Sequence, residues 1–293
     1  MKFEHIRVMN FENALRGMRN PKESWAKSDS EFGLSVLSAD NAYWTRPFES
    51  WKNKMNYSEI DEDYSGEVAN LIKWLEKNGN IYSSNGLFEY AYIGPEDMKL
   101  AQTLIHAGPE HRKFMRQIFV SVDITAPLYF WKEFDTYKVG TVANSTSTMH
   151  TIKNKEITFD CFETDDFNDM KIFDIPEYGA WVKDQAEHII KVCEELRKKY
   201  IETGDLHYWK ELIRWLPEAW LQTRTVTMTY ENLLAMCSKG QRRGHKLNEW
   251  SGKHHEVEEC FISFARSLPY SQEFIFIDEV FQYGDKFPLV DFS

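Results

Sequence analysis

The chain has 293 residues, of which 42% are hydrophobic and 15% are aromatic. So many large apolar side chains exclude a disordered chain and allow a substantial buried core. The 46 acidic and 35 basic residues give a net charge of -11, which disfavours a nucleic-acid partner but leaves small anionic ligands possible.

The first half of the chain predicts helices interrupted by strands. Residues 3–8 alternate and suit an edge strand, and residues 10–20 then turn helical. Helices are predicted over 65–79 and 94–108, because apolar residues recur at helical spacing and a glycine ends each segment. A half-buried strand follows, marked by the period-two residues Ile118, Val120, Val122 and Ile124.

Pro127 leads this strand into an aromatic helix, "APLYFWKEFDTYK", which ends in the segment "TYKVGTVANSTSTMH" at residues 136–150. Gly140 allows the backbone there to adopt conformations that other residues rarely adopt. The hydroxyl side chains from Thr141 to Thr148 offer donors and acceptors without bulk, which suits the oxygens of a nucleotide or the edge of a pyrimidine. A polar surface loop is the alternative interpretation.

The second half is mainly helical. The segment 151–176 carries seven acidic residues and predicts a surface loop with a short strand. Beyond it we predict a helix over 176–204, a shorter helix over 205–217, an extended stretch passing into a helix over 223–240, and a largely helical segment over 245–269. The sequence therefore predicts one α+β domain over residues 1–268, rich in helix with a small mixed or antiparallel sheet, and a tail over 269–293 without an assigned role.

Several classes of site are not predicted. The four cysteines are widely spaced without a CxxC pair, so we expect reduced and mostly buried thiols. His254 and Glu258 could share a helical face, but exposed helix charge explains them and no metal site is predicted. No signal-peptide core or membrane-spanning segment is evident, and a cytoplasmic protein without a membrane partner is expected.

A few basic groups could serve a ligand. Arg242 and Arg243 lie between two predicted helices, where they could gather a phosphate or form an ordinary turn. His245 precedes Glu249 by one helical turn, so the carboxylate could fix its tautomer, although isolated histidines are more often packed or exposed. Lys138 could face a phosphate or simply favour the helix dipole.

Three blocks of sequence carry a resemblance to a known family. The strand "FVSVDI" leads through "TAP" into "LYFWKEFD" and the hydroxyl-rich loop, and the second block is "LPEAWLQTRTVTMTYENLLAMC" with "RRGHKLNEW". A weaker block is "AGPEHRKF". The order and content of these blocks resemble the flavin-dependent thymidylate synthases over about residues 108–150 and 210–264.

The chain departs from the family pattern at its most charged positions. The family's Arg-His-Arg becomes Thr136, Tyr137 and Lys138, and the glutamine one turn earlier becomes Glu133. A flavin-contacting arginine falls on Glu231. The family's arginine that follows the loop serine falls on Met149 or Thr148. The family's phosphate-binding arginine before "LP" is matched by Arg214, which is displaced from it by one position.

The resemblance implies FAD as cofactor and a pyrimidine deoxynucleotide and a folate as ligands. Ser147, or Thr146 if the inserted residue follows it, takes the catalytic position of the serine that lies against the pyrimidine ring; a nucleophile is not implied. The implied cofactor-binding residues are His111, Lys113, Lys138, Thr229 and His245. The implied substrate-binding residues are Glu133, Thr146, Ser147, Thr148, Arg214, Arg242 and Arg243.

The implied reaction is reductive methylation of dUMP at C5, with methylenetetrahydrofolate and NADPH as co-substrates and FAD as the relay, in a homotetramer. Two alternatives stay open because of the lost arginines. One is a related enzyme with another pyrimidine substrate or a hydroxymethylated product, and the other is a binding or structural protein that kept only the fold.

Overall fold

The computed structural model describes residues 1–36, 80–84, 87–164, 176–252 and 259–280. The helix predicted over 65–79 lies outside these residues. No described helix is long and apolar enough to cross a membrane.

Two antiparallel sheets organise the described residues. The larger has the strand order β1-β5-β7-β6 and the smaller the order β2-β4-β3. The strands are β1 (Lys2–Met9), β2 (Glu31–Val36), β3 (Asn80–Ser84), β4 (Leu87–Tyr92), β5 (Phe119–Pro127), β6 (Val142–Ser145) and β7 (Leu221–Thr229). The edge strand predicted at residues 3–8 is confirmed, since β1 lies at the end of the larger sheet.

Helices make up most of the remaining structure, which confirms the predicted α+β class. The helices are α1 (Phe11–Met18), α2 (Pro95–His106), α3 (Leu128–Phe134), α4 (Thr148–Thr151), α5 (Pro176–Thr203), α6 (Leu206–Trp215), α7 (Tyr230–Cys237), α8 (Asn248–Ser251), α9 (Phe261–Ser267), α10 (Ser271–Phe274) and α11 (Ile277–Val280).

The central strand β5 alternates as its sequence predicts. Val120, Val122 and Ile124 are fully buried, while Ser121 and Asp123 are half-buried on the other face. The aromatic helix is shorter than predicted at both ends. Residues 126–127 belong to β5, because they pair with residues 221–222 of β7, and beyond Phe134 the chain turns away from the helix.

Two apolar cores result. The main core joins α1, the larger sheet, α3, α7 and α9, and it includes Phe274, Ile275 and Phe276 from the segment predicted as a tail. The second core packs α5 and α6 against residues 152–162. The prediction of a surface loop there is wrong for residues 152–162, because four of their side chains are buried: Ile152, Ile157, Cys161 and Phe162. All four cysteines are buried thiols, as predicted.

A buried ion pair links α1 to α2. Arg19 Nε lies 2.5 Å from Asp97 Oδ1, and the two side chains are only 6% and 0% exposed. Ser28 and Ser30 donate to Asp97 Oδ2 at 2.6 and 2.5 Å. Both carboxylate oxygens therefore have partners, which offsets the cost of burying the charge.

Candidate functional site

The loop after α3 is held in place by α7. Asn232 donates from Nδ2 to the Val139 carbonyl at 2.7 Å, and its Oδ1 accepts from the Thr229 backbone at 3.0 Å. Gly140 adopts a φ of +79°, and a Cβ there would lie 3.0 Å from Asn232 Oδ1. The Thr229 hydroxyl is engaged in the same cap, so this predicted flavin residue serves α7 in this structure.

Arg242 is the basic group at the centre of the site. Its Nη2 lies 2.9 Å from Glu133 Oε2, and its Nε donates to the Tyr137 hydroxyl at 3.0 Å. The guanidinium carbon is 5.2 Å from the Tyr137 ring centre and 5.0 Å from that of Trp250. Two aromatic rings and a hydroxyl therefore hold the arginine side chain between Tyr137, which follows α3, and Trp250 of α8.

His245 lies beside Arg242. Burial, and secondly the Arg242 charge, lower the pKa of its imidazole from the ordinary value of 6.5. Its Nδ1 accepts from the Leu247 backbone N–H at 3.1 Å, so the proton resides on Nε2. The ring can thus offer one N–H donor to a ligand. Glu249, which was predicted to orient this imidazole, accepts a hydrogen bond from Tyr129 instead.

Trp250 forms the floor of the site. It is completely buried, and its ring centre lies 4.6 Å from Phe130, 4.9 Å from Phe261 and 6.2 Å from His245. Its indole Nε1 has no hydrogen-bond partner, the one such buried side-chain atom among the described residues. Most buried donors are paired, so this N–H is an exception among the described residues, and an ordered internal water would satisfy it.

The hydroxyl-rich segment, which the sequence predicts as a loop, is partly a strand. Residues 142–145 pair with residues 224–227 as β6, which forms the edge of the larger sheet next to β7. Thr146 continues this contact by donating its N–H to the Thr223 carbonyl at 2.9 Å. Ser147 then precedes α4, and its side chain makes no capping hydrogen bond. The side chains at Thr146, Ser147 and Thr148 therefore stand where the strand turns into the helix.

Most of the other predicted cations are already ion-paired. Lys113 pairs with Glu110 at 3.2 Å, and Arg214 with Glu211 at 2.5 Å on the exposed side of α6. Arg243 points away from Arg242 and pairs with Asp278 at 2.8 Å and Glu279 at 2.9 Å. Lys138 is exposed and has no ion pair within the described ranges.

The structure thus brings some predicted residues together and separates others. Glu133, Arg242 and His245 meet around Tyr137 and Trp250. His111 and Lys113 flank Arg112, which binds Glu231 at the start of α7 with an Nε–Oε2 distance of 2.9 Å. Arg214 belongs to α6, whose apolar face contributes to the second core.

Three important residues had been missed as site components. Tyr137 replaces the histidine of the family's Arg-His-Arg pattern, and no local sequence pattern predicts that Trp250 lies against Arg242. Asn232 stands three residues after Thr229, a spacing typical of a reciprocal helix cap that could have revealed its role. Among the described residues no group of His, Cys, Asp and Glu could hold a metal, and His254 and Glu258 lie outside them.

No protein-family profile and no curated protein sequence matches the chain. It is similar to a solved flavin-dependent thymidylate synthase ThyX from Helicobacter pylori complexed with FAD and dUMP, with 14% identity over 72% of this chain and 90% of that chain and a TM-score of 0.42. A second Helicobacter pylori ThyX structure with FAD and dUMP has 12% identity over 95% of this chain and 98% of that chain, with a TM-score of 0.48. The UMP/dUMP methylase PolB from Streptomyces cacaoi, bound with 5-Br UMP, has 11% identity over 47% of this chain and 63% of that chain, with a TM-score of 0.35.

Proposed function

We propose that this protein is a flavin-dependent methyltransferase that converts dUMP to its C5-methyl product, with methylenetetrahydrofolate as carbon donor and NADPH as reductant. One observation carries the proposal. The two segments in which the sequence resembles flavin-dependent thymidylate synthases, around 133–149 and 242–250, meet at the Arg242 contacts with Glu133 and Tyr137. Residues more than 100 positions apart in the sequence therefore build one site.

The side chains at this site are suited to a planar heterocycle with carbonyl oxygens. The His245 Nε2–H is a donor, and Arg242 adds a positive charge held over the rings of Tyr137 and Trp250. Carbonyl groups of a pyrimidine or an isoalloxazine would satisfy such donors. These two groups thus fit the proposed ligands.

His245 and Lys138 would hold the FAD, together with His111 and Lys113. The last two residues flank Arg112, which is held in place by its ion pair with Glu231. When bound, a reduced flavin supplies the electrons that a transferred methylene needs to become a methyl group. The chain itself would orient the ligands and stabilise negative charge on the pyrimidine through Arg242. Ser147 would lie against the pyrimidine ring, with Thr146 and Thr148 beside it.

A homotetramer with the site shared between subunits belongs to the same proposal and is supported by the resemblance alone. Size-exclusion chromatography with light scattering on the full chain tests the assembly. A strictly monomeric protein with full activity would contradict it.

The absorbance spectrum of the purified protein is the first test. We expect a flavin spectrum as isolated or after reconstitution with FAD, and dUMP-dependent oxidation of NADPH in the presence of methylenetetrahydrofolate. Product mass, measured with dUMP and dCMP side by side, distinguishes methylation of dUMP from hydroxymethylation or another substrate. A colourless protein that cannot be reconstituted with FAD overturns the proposal.

A second candidate is a binding protein without catalysis. It is favoured by the pairing of Arg214, Arg242 and Arg243 with carboxylates of the same chain, which leaves few charges for a phosphate. Calorimetric titration with dUMP decides whether the nucleotide binds at all. Binding without turnover supports this candidate, and turnover excludes it.

A further inference from the structure

Arg242 does not depend on its carboxylate partner for its position. Its guanidinium is held over the rings of Tyr137 and Trp250, and its Nε is bonded to the Tyr137 hydroxyl. Glu133 approaches the remaining side, at Nη2. The guanidinium would therefore keep its place if this carboxylate moved away.

Glu133 is far less constrained than the arginine that it binds. Its side chain is 44% exposed, whereas that of Arg242 is 14% exposed. A half-exposed carboxylate regains its hydration when it swings out, so breaking the pair costs much less than breaking a buried one. The arginine, by contrast, stays largely shielded and needs an anion in place of the one it loses.

We propose that Glu133 is an internal counter-ion of Arg242 that the anionic group of a ligand, here a phosphate monoester, has to displace. Glu133 is then a specificity-determining residue, because it weakens the advantage that a phosphate gives a nucleotide over the corresponding nucleoside. The inference rests on the proposed function for the nature of the nucleotide, but the competition between carboxylate and phosphate is a property of the site itself.

A further feature supports an oxyanion at this position. A guanidinium group carries five N–H donors, and the contacts that Arg242 makes with the described residues use Nε and Nη2. Its Nη1 can therefore bind a second oxygen of the same anion.

The test compares wild type with Glu133→Gln, which keeps the shape of the side chain and removes its charge. Affinities for inorganic phosphate, dUMP and deoxyuridine are measured by calorimetry on the full chain. We expect Glu133→Gln to tighten phosphate and dUMP by about three- to fivefold, the size of effect that a partly exposed ion pair contributes. Deoxyuridine should change by less than about twofold, since it carries no competing anion.

Glu202→Gln is the matched control, because it neutralises a carboxylate in an exposed pair with Lys199, at 2.7 Å on α5, and should leave all three affinities unchanged. The double variant Glu133→Gln/Arg242→Met should lose the gain. Equal phosphate affinities in wild type and Glu133→Gln, or a gain that survives removal of Arg242, overturn the inference.

The two proposals fail in different ways. If Glu133→Gln tightens inorganic phosphate but dUMP binds no better than phosphate, the competition is confirmed and the nucleotide function is wrong. If dUMP is turned over while Glu133→Gln leaves phosphate and dUMP affinity unchanged, the function is confirmed and the role given to Glu133 is wrong.

Discussion

Two arginine–carboxylate pairs in this protein differ in what they leave unsatisfied. Arg19 and Asp97 are both buried, and two serines complete the hydrogen bonding of the carboxylate. Arg242 and Glu133 meet at the surface, over aromatic rings and beside an indole N–H without a partner. The first pair is complete within the chain and serves the fold, whereas the second is open to an outside group. The completeness of hydrogen bonding, more than the ion pair itself, separates a structural site from a binding site.

The largest expected effect comes from Asp97→Asn. The substitution keeps the shape of the side chain but leaves the Arg19 charge buried without a counter-ion. We expect a loss of about 3–5 kcal/mol in the free energy of unfolding, measured with a chemical denaturant. As a control, the double variant Arg19→Met/Asp97→Leu should lose less than the single variant, because no buried charge remains. A loss below about 1 kcal/mol for Asp97→Asn would remove the contrast between the two pairs.

Arg242→Met should destabilise the protein less. The variant loses two cation–π contacts and a hydrogen bond, but Glu133 is half-exposed and can be hydrated. We expect a loss of about 1–2 kcal/mol in the same denaturation experiment, together with the loss of phosphate binding. If Arg242→Met costs as much as Asp97→Asn, the pair at the surface is as structural as the buried one and the comparison fails.

Asn232→Ala tests hydrogen bonds made by an uncharged side chain in the same region. The amide bridges the cap of α7 and the carbonyl of Val139, so its removal should cost about 1 kcal/mol of stability. Amide hydrogen exchange should increase at residues 139–141, because their loop loses its anchor. Unchanged exchange in that loop would show that Gly140 and the sheet hold it without Asn232. A matched control is Asn154→Ala, which removes an exposed amide contact to the His150 carbonyl at 3.2 Å.

The smallest effect concerns the pH dependence of stability. Burial lowers the pKa of His245 in the folded protein. At pH values between the pKa of this histidine in the unfolded chain, near 6.5, and its lower value in the folded protein, the unfolded chain binds more protons than the folded protein. Stability should therefore be complete above pH 6.5 and decrease as the pH falls through this window. His245→Gln should remove part of the decrease.

His207→Gln is the control for this prediction, since His207 is 92% exposed. His106, whose pKa is also lowered by burial, contributes equally to wild type and both variants, so their difference isolates His245. Identical pH profiles for wild type and His245→Gln would contradict the prediction.

Periodic segments were predictable from the sequence, and contacts between distant segments were not. The alternation in β5 and the helical spacing over 176–204 are local patterns, and both elements form as expected. β6 has no such pattern: its four residues are all exposed, and only the neighbouring β7 makes them a strand. Local sequence likewise missed the buried apolar residues of 152–162, which pack against α5 and α6.

The candidate site shows the same limit. His245, Arg242 and Glu133 could be singled out by their residue type and by the family resemblance. That Arg242 is already bound to Glu133 depends on a contact across 109 positions, which no local pattern contains. The orphaned N–H of Trp250 depends on the packing of several aromatic rings, and a count of tryptophans cannot reveal it.

The early and late parts of the chain share one aromatic core. Phe3 stacks on Phe264 with a centroid distance of 4.5 Å, and Phe11 lies 5.9 Å from Tyr270. These contacts span about 260 positions, so the core cannot close on the ribosome until the segment around residues 261–277 has emerged. During synthesis the apolar face of α1 therefore stays without these partners until the late segment is available, and contacts so distant in sequence favour slow folding.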